Sequence, residues 1–186
     1  MKPQCEFIIS LVKDGKIIKE AARMHNTTLY TGYDLLAAMA TSGKYLNGMY
    51  IEYKNSTPSE PTISPTRDRS YYAAYEDGGY AGDQGYVRVP LSLDPIFAST
   101  GAEYASNKAT LVGVTDPVAE GIVPVLDGVS EFFTVALVHI ADIDDASQDI
   151  VYNAAVLKSG ATFAPITKVA NIQIGVQGSI KFEETP

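Results

Sequence analysis

The sequence predicts a mainly β fold, a single-domain antiparallel β-sandwich of jelly-roll-like type with one short helix near residues 32–41. Three observations carry that expectation. An Asp14-Gly15 pair stands between two apolar, β-branched runs. About eight to ten short strand-like segments are separated by Gly, Pro and Asp turns. Residues 132–140 form a nearly continuous apolar stretch. A chain of 186 residues can bury one sizeable core without disulfides or metals. No repeat of 20–50 residues divides it, so residues 1–186 read as one domain.

The elements follow in order. Asp14-Gly15 suits a type I′ turn, whose two central positions need φ > 0, so strands are expected at 6–13 and 16–25. Lys19, Glu20, Ala21 and Ala22 would support a helix there instead, but Gly15 and the β-branched residues before it favour strands. Thr31-Gly32-Tyr33-Asp34 then precedes Leu35-Leu36-Ala37-Ala38-Met39-Ala40. The Thr31 hydroxyl is placed to accept from a first-turn amide, Asp34 complements the positive helix end, and Gly43 stops the helix.

Strand character returns at 46–54, with Tyr50, Ile51 and Tyr53. Pro58, Pro61 and Pro65 among Ser and Thr prevent a continuous ladder, so residues 55–70 are expected to form an exposed arm. A Tyr/Gly-rich loop fills 71–86. Residues 86–91 resume a strand, with Pro90 suggesting a sheet edge or a strand end. Further strands are expected at 109–114, 132–141, 149–157, 162–166 and 172–182. The 132–140 run suits a central strand covered on both faces. In the last strand Ile172, Ile174, Val176, Ile180 and Phe182 bury one face, while Gly175 and Gly178 leave room for a bulge or a close neighbour.

Charge and composition narrow the function. There are 14 basic and 22 acidic residues, a net of −8; residues 1–70 hold 9 and 7, and residues 71–186 hold 5 and 15. An acidic chain without a Lys/Arg cluster is a poor partner for nucleic acid or an anionic membrane surface. Its apolar runs are too short to span a bilayer, and residues 1–12 lack a signal-peptide pattern. Cys5 is the single cysteine, which excludes an intrachain disulfide and multi-cysteine metal motifs.

Groups that do chemistry are few. His25 and His139 are the two histidines. Period 2 sets His139 opposite Val138 and Ile140, as expected of a largely buried ring satisfied by a backbone carbonyl. No G-x-S-x-G elbow is present, and the glycines at 78, 79, 82 and 85 lack a phosphate-binding pattern. Cys5 reads as a small hydrophobe. The chain is therefore expected to be a non-enzyme without a cofactor; a hydrolase using His139 as base is a further alternative. Asp142, Asp144 and Asp145, with Asp149, are the residues that would hold calcium, because alternating carboxylates on a loop suit a hard cation. Ala146 and Ser147 break the EF-hand order, so a solvated acidic loop is expected and no metal. The sequons at Asn26 and Asn55 read as chance matches.

Tyr71, Tyr72, Tyr75, Tyr80 and Tyr86 fall within sixteen residues that also carry four glycines. With Arg67 and Arg69 they are the candidates for a protein interface, since Tyr and Arg are enriched at binding hot spots and Gly lets a loop conform. Tyrosines packed under their own loop, or stacked on sugar rings, are the competing readings.

The order of segments resembles a known group. Leu29-Tyr30-Thr31-Gly32-Tyr33-Asp34-Leu35-Leu36 is followed by Gly48-Met49-Tyr50-Ile51-Glu52-Tyr53, a Pro/Ser/Thr arm, Tyr86-Val87-Arg88-Val89-Pro90-Leu91 and a β-rich second half. This layout, over most of the chain, resembles small virion structural proteins of tailed bacteriophages, particularly those that decorate or cement the head. The resemblance implies a capsid decoration protein, made in the host cytoplasm and placed on the virion head surface. Its partners would be the major capsid protein or other virion proteins, and it would be a homo-oligomer, dimer or trimer, with no catalytic residues. A tail or fibre component would use the same features. The rival from another class is a carbohydrate-binding module or adhesin with a Tyr-lined, calcium-assisted site.

Overall fold

In the computed structural model, which describes residues 2–14, 16–25, 27–75, 84–93, 108–114, 129–169 and 173–183, antiparallel pairing organises the chain. Strands β1 (Lys2–Lys13) and β2 (Lys16–His25) form a hairpin closed at Lys13 and Lys16. Asp14 adopts φ 51°, the left-handed value that the turn requires, while Gly15 lies outside the described residues. There follow β3 (Thr27–Thr28), helix α1 (Tyr30–Ser42), β4 (Gly48–Lys54), helix α2 (Arg69–Ala73) and β5 (Gln84–Pro90). Then come β6 (Ser92–Leu93), β7 (Lys108–Val114), β8 (Val129–His139), a 3₁₀ turn (Ala146–Gln148), β9 (Ile150–Val151) and β10 (Asn153–Val156). Strands β11 (Lys158–Ser159), β12 (Thr162–Phe163), β13 (Ile166–Val169) and β14 (Gln173–Glu183) complete the described elements.

One sheet has the order β2-β1-β14-β7-β6. The other runs β3-β10-β8-β4-β5, with β9 and β13 also paired to β8, and β11-β12 is a small separate hairpin. A single buried cluster draws on both sheets: Phe7, Ile9 and Val176 from the first, Met49, Ile51, Phe132, Val135 and Leu137 from the second. The arrangement is sandwich-like. Glycine makes the closest approach possible: a Cβ on Gly178 would lie 2.9 Å from Leu137 Cδ2. Leu137 is thus the near neighbour that the glycine in the last strand anticipates. Strand β8 is the hub, buried from Phe132 through His139, as its unbroken apolar run requires.

Several expectations change in detail. Helix α1 starts two residues before the predicted 32–41 span, with Leu29 at its N-cap and no side-chain cap. The Thr31 hydroxyl donates to the Val151 carbonyl instead, tying the helix to β9, while Gly43 ends it at φ 69° as expected. Helix α2 is additional; the Asp68 carboxylate accepts from Ser70 N at 2.9 Å and Tyr71 N at 3.4 Å. The expected 162–166 strand divides into β12 and β13. The 55–70 arm is not exposed throughout: Pro58 and Arg67 are buried, and Ile63 packs against the outer face of the second sheet. The 71–86 loop begins in α2 and ends in β5, and residues 76–83, Tyr80 among them, lie outside the described residues. So does Asn26. Among the described residues no helix is long and apolar enough to cross a membrane.

Candidate functional site

The polar chemistry of the chain gathers on the outer face of the second sheet. Alternation along β4 sends Met49, Ile51 and Tyr53 into the main core and Tyr50 and Glu52 to the opposite side. There Tyr50 joins Ala136, Val138, Val151 and Ala154 in a second cluster, covered by the arm and α2 through Ile63, Tyr71 and Tyr72. Four of the five clustered tyrosines meet at this place. The Tyr50 ring lies 4.8 Å from Tyr72 and 4.5 Å from Tyr86, and Tyr71 lies 5.1 Å from both Tyr72 and Tyr75. Edge-on and tilted contacts of this kind add to the stabilisation from burial alone.

Two carboxylates anchor the layer. Glu52, 1 % exposed, accepts from Arg67 Nη1 at 2.6 Å and from the Tyr71 hydroxyl at 2.8 Å, and the Thr134 hydroxyl donates to the same group. The Arg67 guanidinium lies 3.9 Å above the Tyr71 ring. A buried carboxylate requires such compensation, because desolvation alone costs several kcal/mol. Burial pulls the Arg67 pKa down, but the Glu52 charge and the Tyr72 and Tyr71 hydroxyls outweigh it and hold Arg67 above its ordinary value. Burial, reinforced by Glu52, pushes the Tyr71 and Tyr72 hydroxyls well above the usual tyrosine range.

Asp149 anchors the second centre. It accepts from Arg88 Nε at 2.7 Å, Arg88 Nη2 at 2.8 Å and Ala141 N at 3.3 Å, and the Tyr50 hydroxyl donates to it. Arg88 also donates to the Asp142 and Ile143 carbonyls, and Arg69 Nε donates to Ala146 O at 2.5 Å. Burial first, then the Asp149 bond, raises the Tyr50 pKa far above normal.

The acidic loop is tied to this second centre. Two carbonyls and a carboxylate of the kind a hard cation would use are directed at the Arg88 guanidinium. Asp142 accepts from Asp144 N at 2.9 Å, and Asp145 accepts from Ser147 N at 2.8 Å and the Ser147 hydroxyl at 2.9 Å. The Ser147 N–H holds the Asp145 carboxyl below its ordinary range. Among the described residues no group of three or more His, Cys, Asp or Glu gathers to hold a metal.

His139 hydrogen-bonds through Nδ1 with the Tyr45 carbonyl at 2.7 Å, the satisfied histidine expected from its strand position. The side chains of Cys5 and His25 lie outside the described residues. A cleft of about 320 Å³ borders the Glu52 centre, lined by Thr62, Ser64, Thr66, Ser70, Tyr71 and the Arg67-Asp68 pair.

The interface candidates thus part company. Arg67 and Tyr72 are buried in the chain's own interior, and Arg69, Tyr71, Tyr75 and Tyr86 are half-buried. Large apolar side chains stand exposed elsewhere: Ile17, Ile18, Tyr30, Tyr33, Tyr45 and Ile143. Sequence reasoning passes over these, although helical spacing locates two of them. With Leu35 and Met39 packed inward, Tyr30 and Tyr33 fall on the opposite face of α1. Compared with protein-family models, curated proteins and solved structures, the chain matches none.

Proposed function

We propose that this chain is a non-enzymatic structural protein of a tailed-phage virion, a decoration or cement protein that binds the major capsid protein and stabilises the assembled head. The observation that supports it is the display of large apolar side chains on hydrogen-bonded scaffolding: Ile17 and Ile18 on the β1–β2 hairpin, Tyr30 and Tyr33 on α1, and Tyr45 beside His139. Exposed aromatic and aliphatic anchors on rigid elements are what protein interfaces use. Repetition over a lattice makes individually modest contacts act together. The internal salt bridges serve this role by fixing arm and loop, so that little ordering entropy is lost on attachment.

The carbohydrate-binding alternative has the hydroxyl-lined cleft in its favour. Two of the tyrosines it would stack on are already engaged, however: Tyr72 is buried and Arg67 covers one face of Tyr71. The discriminating experiment deletes the coding sequence from the phage that carries it. Particles lacking the protein should lose infectivity sooner on heating or dilution into low salt, and added protein should restore it. Unchanged particle survival, together with absence of the chain from purified virions, rejects the proposal.

A further inference from the structure

Two exposed surfaces on different sheets complement each other. The tip of the β1–β2 hairpin carries Lys13, Lys16 and Lys19, all exposed, around Ile17 at 70 % and Ile18 at 56 % exposure. None of these lysines forms an ion pair with a described residue. Strand β2 is also the terminal strand of its sheet. The loop after β8 carries Asp142, Asp144 and Asp145, all exposed, around Ile143 at 59 %. Arg88 and Arg69 hold this loop by its carbonyls, and Asp142 and Asp145 accept from loop amides while their side chains remain exposed.

We infer that the hairpin tip of one copy docks against the acidic loop of a second copy, in a head-to-tail contact. Lysine meets aspartate at the rim, and Ile17 and Ile18 meet Ile143 at the centre. The charges give register and the isoleucines give burial. One copy offers both surfaces, so the contact is heterologous and builds a closed ring or an open chain of copies. An isologous hairpin pair would set lysines against lysines and leave the acidic loops unused. The inference concerns the isolated chain in solution, so its failure leaves the virion proposal standing.

The test is sedimentation of the full-length chain over a concentration series at low and high salt. Wild type should form species larger than a dimer at low salt and dissociate as salt screens the rim. Lys16→Glu/Lys19→Glu and Asp142→Lys/Asp144→Lys should each weaken self-association at least tenfold. All four positions are exposed, and circular dichroism should show both variants folded. Mixing the two variants should restore species larger than a dimer, since the native hairpin of one meets the native loop of the other and the two reversed surfaces, acidic hairpin and basic loop, attract in turn. Ile17→Ser/Ile18→Ser should weaken association without removing its salt dependence. A monomeric wild type at low salt, association insensitive to both reversals, or a mixture that stays monomeric would each overturn the inference.

Discussion

Arg67 donates to Glu52 at 2.6 Å across fifteen residues of sequence, with side chains only 4 % and 1 % exposed. One partner comes from the end of a proline-rich arm and the other from a sheet strand. Removing either leaves an uncompensated buried charge. Glu52→Ala and Arg67→Ala should therefore each cost about 3–5 kcal/mol, whereas Glu52→Leu/Arg67→Met should cost far less than their sum. Urea unfolding of wild type and the three variants measures these losses. Single losses below about 1 kcal/mol would mean that the pair does not hold the arm.

Gly32 gives a prediction whose sign reverses the usual one. Alanine ordinarily stabilises a helix interior by about 1 kcal/mol over glycine. A Cβ at position 32 would lie 2.0 Å from the Tyr152 carbonyl oxygen, and backbone cannot rotate away as a side chain can. Gly32→Ala should lower stability by about 1–3 kcal/mol through overpacking, read from thermal melting. A stabilised variant would show that α1 does not seat against Tyr152.

The acidic loop depends on a guanidinium. Arg88→Met should leave Asp149 buried without its bidentate partner and release the carbonyls of Asp142 and Ile143. Proteases should then cut within 141–149 of the variant while sparing wild type. Calcium or a chelator should leave the wild-type melting temperature unchanged. A calcium-dependent rise in wild type would contradict the assignment of Arg88 to that position.

Tyrosine ionisation sets an alkaline limit. Burial raises the Tyr50, Tyr71 and Tyr72 hydroxyls beyond the normal range and pushes Tyr53 up to about 12. In the unfolded chain these groups lose their protons near pH 10. Above that value the folded state holds protons that the unfolded state has released, so stability falls as pH rises. The contribution is complete below about pH 10 and is lost progressively above it. Ultraviolet titration should show these tyrosines ionising only as the protein unfolds. A reversible titration near pH 10 with the fold intact would show that they are not sealed.

Local chemistry made much of this fold legible. Asp14-Gly15 dictates its hairpin, Gly43 stops its helix, and residues 132–140 announce a strand covered on both faces. Position 139 likewise implies a histidine satisfied by a carbonyl. What stayed hidden depends on residues distant in sequence. Thr31 looks like a cap, but Val151, 120 residues away, competes for its hydroxyl. The arm reads as exposed because proline excludes a ladder, and nothing local states that Glu52 awaits Arg67. Clustered tyrosines suggest an outer surface for the same reason, yet the strand alternation that buries Tyr50 draws three of them inward. Asp68 before Arg-Ser-Tyr has cap chemistry, but the helix behind it has only five residues and too little apolar periodicity to announce itself.

Imaging purified virions at side-chain resolution bears most directly on the proposed role. The chain should stand in many symmetry-related copies on the outside of the head, its arm closed over Glu52 and its exposed tyrosines or hairpin isoleucines buried against neighbours. Heads without density for it, alongside a free monomer that turns over a small compound in solution, would contradict that role.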